Sequence, residues 1–571
     1  MRDGTLIAVD VMLPADRPPE TRLPALMIMA RYWRSMELRG LEPPNKALIG
    51  PREPIADYLI SRGFAVVVVD ARGTGASTGA NRYPWAPEEL ADYGEVASWA
   101  AAQPWCNGNV GAFGISYEGG TALRLASTGV PGVKGVAPQE IEFDVYADIV
   151  MPGGILSQSF VRAWSESNKM LDGNKPSSLF PRLARLLVKG VRPVDSDRKA
   201  RAILTSALQD HRANTDLYRA ISGITYRDDP LGDTGATLDS FSVFEGRAAI
   251  EQSGIPIFTW GSWLDGASAE AALRTFNTFR NPQIVAIGAW KHEMTANGSP
   301  YQKPNAKPDP LKEQQWAALA RFFDRTLRKN QPPAGKTLFY YTLGEEAWKR
   351  TDTFPLPATE VQTWYFQPGH GLAPEPPAAD GDADTYVVDF AATTGRTNRW
   401  QTQMARPLVY RDRAWEDRRL LMYTSAPLDR DVEITGYPVI TLYLASSEGD
   451  GAFFAYLEDV DGKGVVRYVT EGQLRGIHRK PSSGPAPYRT GMPYHTFNRA
   501  DASPLPRGVT VELTFGLLPT SALIRRGHSI RVAIAGADSD TFVRIPAQGT
   551  PVWQVSRSKT QASCIRLPII R

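Results

Sequence analysis

The sequence has few of the residues that disulfide and metal chemistry require. Its 571 residues include two cysteines, Cys106 and Cys564, and six histidines. Two cysteines cannot form a disulfide framework or a cysteine-rich metal site. The sequence leaves open whether these two are bonded to each other.

Long apolar runs and a large net charge are also missing. The longest aliphatic run, residues 65–69, is far too short to cross a bilayer. Lys and Arg total 64 against 61 for Asp and Glu, so a net charge of +3 gives no global field that attracts nucleic acid or an anionic membrane. No signal-peptide core follows Met1, which predicts a cytoplasmic protein, or a secreted or periplasmic one whose leader is absent.

Hydrophobic patterning divides the chain into three parts, as its length suggests. Alternating strand and helix patterns up to residue 141 predict a doubly wound, mostly parallel sheet. This alternation of strands and helices is interrupted over 142–244, where apolar residues recur at helical spacing. It continues over 245–331. We therefore predict an α/β domain of residues 1–141 and 245–331 with a helical cap inserted at 142–244. Short alternating strands over 332–571 predict an all-β sandwich or jelly roll.

Residues 109–123 have the pattern of a strand, a sharp turn and a helix around one serine. An apolar run ends at Gly114, Ser116 follows, and small residues lead into a helix. This pattern is typical of a nucleophile elbow. It departs from the general G-x-S-x-G motif in one respect, because Glu118 occupies the last glycine position and Gly119 follows one residue later. The alternative is an ordinary strand-to-helix turn.

A serine nucleophile needs a base, and the base needs an acid that holds its tautomer. Among the histidines, only His292 lies just beyond a predicted sheet strand downstream of the elbow. Asp265 ends the preceding strand, so the chain order is nucleophile, acid, histidine, as in α/β hydrolases. We predict a catalytic triad of Ser116, Asp265 and His292. The other histidines fall in the predicted cap and the β-rich region, where structural roles are expected.

With these motifs in hand, the chain resembles the serine acyl hydrolases that include cocaine esterase, α-amino-acid ester hydrolases, glutaryl acylases and Xaa-Pro dipeptidyl peptidases. The shared signatures are Gly114-Ile115-Ser116-Tyr117-Glu118-Gly119, Trp263-Leu264-Asp265-Gly266 and Gly288-Ala289-Trp290-Lys291-His292. The resemblance spans essentially the whole chain. It implies an α/β-hydrolase core with a helical cap, a carboxyl-terminal jelly roll and no cofactor or metal.

The resemblance also implies an oxyanion hole and an acyl pocket. Tyr32 aligns with the family's oxyanion tyrosine, and Tyr117 supplies the backbone N–H after the nucleophile; the alternative for Tyr32 is a packed aromatic. Trp164, Phe453 and Phe454 resemble pocket aromatics, and the alternative is that all three are core.

The same resemblance bears on the substrate. The family's amino-ester hydrolases carry acidic residues just after the triad acid, where this chain has Ala267 and Ser268, which favours a neutral or apolar acyl ester.

The sequence therefore predicts a serine esterase that forms an acyl-enzyme on a small ester or, less favoured, amide substrate. Alternatives are an amidase or acylase, a dipeptidyl-peptidase-like activity, and a non-catalytic glycan- or protein-binding protein that keeps the fold. Nucleic acid and membrane partners are not expected, and homo-oligomerisation stays open.

Overall fold

The computed structural model describes residues 1–39, 52–177, 180 and 182–571. The strands of its amino-terminal part are β1 (Val9–Met12), β2 (Leu23–Ala30), β3 (Met36–Leu38), β4 (Ala65–Asp70), β5 (Cys106–Ile115), β6 (Val133–Gln139), β7 (Val188–Val191), β8 (Ile257–Ser262), β9 (Gln283–Gly288), β10 (Lys336–Thr342) and β11 (Ala347–Thr351). The α-helices are α1 (Glu53–Ser61), α2 (Pro87–Ala102), α3 (Tyr117–Leu125), α4 (Gln158–Asp172), α5 (Arg182–Leu187), α6 (Arg198–Asp210), α7 (Leu217–Ser222), α8 (Arg247–Ser253), α9 (Ser268–Thr278) and α10 (Lys312–Phe323).

Nine of these strands form one sheet in the order β1-β4-β2-β5-β6-β8-β9-β10-β11. All neighbours from β4 to β10 pair in parallel, and only β1 and β11 at the two edges run antiparallel. Strand β4, second from one edge of the sheet, reads Ala-Val-Val-Val-Val-Asp and is buried throughout, because helices cover both faces of a parallel sheet. The predicted α/β-hydrolase core is confirmed. Parallel strands bring β5, β6, β8 and β9 to one edge with their carboxyl ends together, where open α/β sheets bind ligands.

The segment between β6 and α8 carries the cap. It holds helices α4 to α7 together with β7, which pairs with β3 in a separate two-stranded sheet. The cap is therefore tied by backbone hydrogen bonds to the loop that follows β2.

The carboxyl-terminal part is an all-β domain, as predicted for a jelly roll. Its thirteen strands are β12 (Thr359–Gln367), β13 (Gly371–Ala373), β14 (Ala383–Val387), β15 (Leu421–Ser425), β16 (Val432–Gly436), β17 (Val439–Ser446), β18 (Ala452–Val460), β19 (Val466–Arg475), β20 (Val511–Gly516), β21 (Thr520–Ile524), β22 (Ser529–Ala535), β23 (Val552–Ser556) and β24 (Cys564–Ile570).

The junction between the two large domains differs in one respect from the sequence-based division at 331/332. Strands β10 and β11 lie after that point, yet they extend the first sheet through pairing of β10 with β9. One apolar cluster also runs through both domains, from Trp263 and Leu338 to Phe453 and Ile534. The β domain therefore packs on the hydrolase core through a continuous hydrophobic interior.

Two further findings bear on the sequence analysis. Cys106 and Cys564 are both free thiols, which answers the question that the sequence left open. Within the described ranges, no helix is long and apolar enough to cross a membrane.

Candidate active site

Ser116 sits in a strained turn between β5, which ends at Ile115, and α3, which begins at Tyr117. Its backbone angles are φ 60° and ψ −126°, a conformation that non-glycine residues rarely adopt and that is typical of a nucleophile elbow. A Cβ on Gly114 would lie 2.3 Å from Glu118 Cβ, and one on Gly119 would lie 2.8 Å from Gln139 O. Strand and helix approach so closely that glycine is needed at both positions, which explains the departure from the general motif.

Asp265 and His292 follow the carboxyl ends of β8 and β9 and meet in a buried pair. His292 Nδ1 lies 2.9 Å from Asp265 Oδ2, and Asp265 is fully buried. Burial by itself lowers the pKa of His292, but the charge and hydrogen bond of Asp265 outweigh it, so the pKa is raised. The aspartate thus holds the ring orientation and stabilises an imidazolium.

Glu140 is a second buried carboxyl beside this pair, and the sequence analysis did not identify it. It follows β6, and its Oε2 lies 3.5 Å from His292 Nδ1 and accepts the Glu293 N–H at 2.6 Å. Burial, and then the charge of Asp265, raise the pKa of Glu140 to about 8, against the opposing charge of His292. Among the described residues, Glu140 Oε1 and Asp265 Oδ1 are buried without a hydrogen-bond partner.

These three side chains also form a group that could hold a cation. One ligand atom from each of Glu140, Asp265 and His292 lies within 4.8 Å of the others. A metal ion there would have to displace the hydrogen bond between Asp265 and His292 Nδ1, so the arrangement fits an acid–base pair better than a metal centre.

A loop of the β domain braces the same pair. Thr402 Oγ1 accepts the backbone N–H of His292 at 3.0 Å. Arg399 O accepts the Gly266 N–H at 2.8 Å, and Arg399 Nε donates to Gly266 O at 2.8 Å. The loops that carry the acid and the histidine are thus fixed from outside their own domain.

Tyr32 and Tyr117, the predicted oxyanion residues, both lie beside Ser116 in one cavity. Tyr32 Oη accepts the Trp164 Nε1–H at 2.9 Å, which leaves its own proton free to be donated elsewhere. Burial raises the pKa of Tyr32 to about 12, so the hydroxyl stays protonated at neutral pH. Tyr117 is the first residue of α3, where a backbone N–H has no intrahelical acceptor.

The cavity holds about 550 Å³ of space between atoms, a figure that includes the solvent at its mouth. It lies between the sheet edge and the cap, because Phe160 and Trp164 of α4 form part of its wall. Its aromatic lining consists of Tyr32, Trp85, Tyr117, Phe160, Trp164 and Phe241. The only charged residue among its lining in the described part of the chain is Glu142.

The structure does not place Phe453 or Phe454 in this cavity. Phe453 is fully buried and stacks on Trp553, with ring centroids 4.4 Å apart, and Phe454 packs against Phe542 at 5.3 Å. Both phenylalanines therefore belong to the core of the β domain, and the pocket role given to them is corrected.

Glu140 and Glu142 could have been noticed in the sequence, since two acids separated by one residue follow the strand next to the nucleophile strand. Thr402 and Arg399 carry no such signal, because only tertiary packing brings them to the site.

Comparison with known proteins agrees with this architecture. Residues 3–294 match the family described as X-Pro dipeptidyl-peptidase (S15 family), and residues 329–565 match the X-Pro dipeptidyl-peptidase C-terminal non-catalytic domain. A protein of Mycobacterium bovis, provisionally named a serine esterase, is 40% identical over 100% of this chain and 94% of its own length. The cocaine esterase of a Rhodococcus species is 27% identical over 100% of this chain and 97% of its own.

Solved structures show the same fold across the chain. A CocE/NonD family hydrolase from Staphylococcus aureus superposes with a TM-score of 0.70 at 19% identity, covering 100% of this chain and 92% of its own. An α-amino acid ester hydrolase gives a TM-score of 0.72 at 20% identity, with 100% and 95% coverage. From the family match over its catalytic part and the full-length relatives, we conclude that the chain belongs to the X-Pro dipeptidyl-peptidase (S15) family of serine hydrolases.

Proposed function

We propose that this protein is an esterase that cleaves small acyl esters with Ser116 as the nucleophile. The observation that carries the proposal is the buried hydrogen bond between Asp265 and His292, held at the same sheet edge as the strained Ser116. Acyl transfer by a serine requires an exposed nucleophile and a histidine base whose orientation is fixed.

In the proposed reaction, Ser116 Oγ attacks the ester carbonyl while His292 takes its proton through Nε2. Asp265 accepts the Nδ1–H and stabilises the imidazolium. The Tyr32 hydroxyl and the Tyr117 backbone N–H donate to the oxyanion of the tetrahedral intermediate. When the intermediate collapses, the C–O bond to the alcohol breaks, and His292 returns the proton to the leaving alkoxide. Water, deprotonated by His292, then releases the acid from the acyl-enzyme.

The test compares hydrolysis of p-nitrophenyl acetate and butyrate with the matching p-nitroanilides and an Ala-Pro p-nitroanilide. We expect ester turnover with a burst, and loss of at least about 10³-fold in kcat for Ser116→Ala. Ser61→Ala, which changes an exposed serine of α1, is the matched control. A fluorophosphonate should phosphonylate Ser116 with loss of fluoride and should not label Ser116→Ala.

The outcomes separate the alternatives. Faster cleavage of the Ala-Pro anilide than of the esters would replace esterase with the peptidase activity that the family's description names. No hydrolysis of any substrate, with no fluorophosphonate labelling, would contradict the proposal and favour a binding protein on a hydrolase fold.

Two further properties of the proposed esterase can be tested, its cellular compartment and its oligomeric state. We expect a cytoplasmic protein, with a secreted or periplasmic one as the alternative, which fractionation of the source cells decides. Native mass spectrometry tests whether it forms homo-oligomers.

A further inference from the structure

Two carboxyl groups face the same ring nitrogen of His292. Asp265 Oδ2 lies 2.9 Å from His292 Nδ1, and Glu140 Oε2 lies 3.5 Å from it. Glu140 directly follows β6 and Asp265 follows β8, and these two strands pair in parallel, so the carboxyls come from neighbouring loops. A hydrogen bond to a ring nitrogen spans about 3 Å, so a shift of about 0.5 Å would bring Glu140 Oε2 into range.

The backbone of Glu140 holds its carboxyl in this place. Glu140 has φ 48°, a left-handed conformation that is uncommon for a residue with a long side chain. Its N–H donates to Trp260 O of β8 at 2.7 Å, and its Oε2 accepts the N–H of Glu293, the residue after His292, at 2.6 Å. Strained residues of this kind cluster at functional sites. Here the strained backbone directs a buried carboxyl at the ring that Asp265 orients.

The two carboxyls also influence each other electrostatically. Both residues are fully buried, and one oxygen of Glu140 lies within 4.8 Å of one of Asp265. Carboxylates at that separation repel each other, so a proton on one of them is favoured. Burial and then the charge of Asp265 raise the pKa of Glu140 to about 8. Three groups oppose the rise, namely His292, the Glu293 N–H and Lys312 at the start of α10. Removing the charge of Asp265 would therefore let Glu140 ionise at a lower pH.

We propose that His292 is oriented by two acids, Asp265 and Glu140, and that Glu140 accepts the Nδ1–H when Asp265 carries no charge. This inference rests on the proposed esterase function. An ionised Glu140 that accepts the Nδ1–H keeps Nε2 free to take the proton of Ser116, as Asp265 does in the proposed reaction. Glu140 is thus a positioning residue that acts through the histidine.

The first experiment measures kcat for p-nitrophenyl acetate at pH 8 in the four combinations of Asp265→Asn and Glu140→Gln, corrected for spontaneous hydrolysis. In a serine protease, the same change of the triad acid lowers kcat by about 10⁴-fold. We expect Asp265→Asn to lose only about 10- to 100-fold here, because Glu140 ionises and holds the ring. Glu140→Gln alone should lose about 2- to 5-fold, and the double variant about 10⁴-fold.

Two further variants control this comparison. Glu313→Gln removes a carboxyl from the exposed side of α10, and it should have the same small effect with and without Asp265→Asn. Asp265→Ala repeats the measurement without an amide that donates to Nδ1. If Glu140 served only to hold the Glu293 N–H, Glu140→Gln would cost the same factor in both backgrounds. That result, or a loss of about 10⁴-fold in Asp265→Asn and in Asp265→Ala, would overturn the inference.

The second experiment does not depend on turnover. The Nδ1–H of a histidine that is hydrogen-bonded to a carboxylate gives a proton resonance at low field, apart from the amide signals. We expect this resonance in the wild type and in Asp265→Asn, and its loss in the double variant. In the wild type it should also shift as Glu140 loses its proton near pH 8, and this shift should be missing from Glu140→Gln. Loss of the resonance in Asp265→Asn, or a wild-type resonance that does not respond to pH, would contradict the inference.

The two experiments also separate this inference from the proposed function. Failure of the esterase proposal would appear as no hydrolysis of any ester by the wild type, and the resonance would still report whether Glu140 acts on the ring. Failure of this inference alone would appear as an active wild-type esterase in which Asp265 is the only acid that orients His292.

Discussion

The hydrogen bond from Trp164 to Tyr32 predicts energetic coupling between a cap residue and the proposed oxyanion donor. Trp164 Nε1 donates to Tyr32 Oη at 2.9 Å and so directs the tyrosine proton away from the cap. Removing an oxyanion donor costs about 2.7–4 kcal/mol, so Tyr32→Phe should lower kcat by about 10²- to 10³-fold. A neutral hydrogen bond contributes about 0.5–1.5 kcal/mol, so Trp164→Phe should lower kcat by about 2- to 12-fold.

A double-mutant cycle isolates this effect from the change in cavity shape. In the Tyr32→Phe background there is no hydroxyl for the Trp164 N–H to orient. The remaining effect of Trp164→Phe on kcat then reflects only the change in side-chain volume. We therefore expect a coupling energy of about 0.5–1.5 kcal/mol in kcat between the two positions. Phe160 stacks on Trp164 and lines the same cavity, so Phe160→Leu combined with Tyr32→Phe is the control and should be additive. Additivity of Tyr32→Phe and Trp164→Phe to within about 0.3 kcal/mol would refute the orienting role.

Three further predictions concern the surroundings of the site. The folded protein raises the pKa of Glu140 to about 8, so between its ordinary value and about 8 the native state holds a proton that the unfolded chain lacks. The contribution of this group to the free energy of unfolding is therefore lost as the pH rises. In urea unfolding at pH 5, 7 and 9, the free energy of unfolding of Glu140→Gln should rise relative to that of the wild type at each step. A difference that stays constant with pH would contradict the raised pKa. Thr402→Val keeps the shape of the side chain but removes the acceptor for the His292 N–H. We expect kcat to fall by about 2- to 10-fold with little change in KM. A rise in KM as large as the fall in kcat would instead indicate a general packing defect. Gly119→Ala would press a methyl group onto Gln139 O at 2.8 Å and should lower the free energy of unfolding by about 1–3 kcal/mol, while Gly508→Ala, with no atom within 4 Å but a positive φ, provides a control for backbone strain alone.

Local patterns in the sequence carried much of the architecture. The elbow around Ser116 could be recognised because strand, strained turn and close-packed glycines are neighbours in the chain. The acid and histidine positions followed from strand order, since parallel strands end at one edge. The fold class and family predicted on this basis are confirmed, and the triad stays a prediction that the geometry supports.

Other parts of the site depend on contacts that no local pattern encodes. The family resemblance implied a pocket role for Phe453 and Phe454, but their rings pack against Trp553 and Phe542 inside the β domain. Glu140 can be assigned to the candidate site only when its distance to His292 is known. Strands β10 and β11 join the first sheet although they follow residue 331, and no local pattern encodes the pairing of β10 with β9.

The hydrogen bonds of Thr402 and Arg399 make the positions of the Asp265 and His292 loops dependent on a segment of the β domain. Asp265 and His292 lie in the hydrolase core, but their loops are hydrogen-bonded to a segment of the β domain, which comes later in the chain. A nascent chain that has completed its parallel sheet would therefore still lack an ordered base. We therefore expect esterase activity to appear only once the β domain has folded and docked on the hydrolase core.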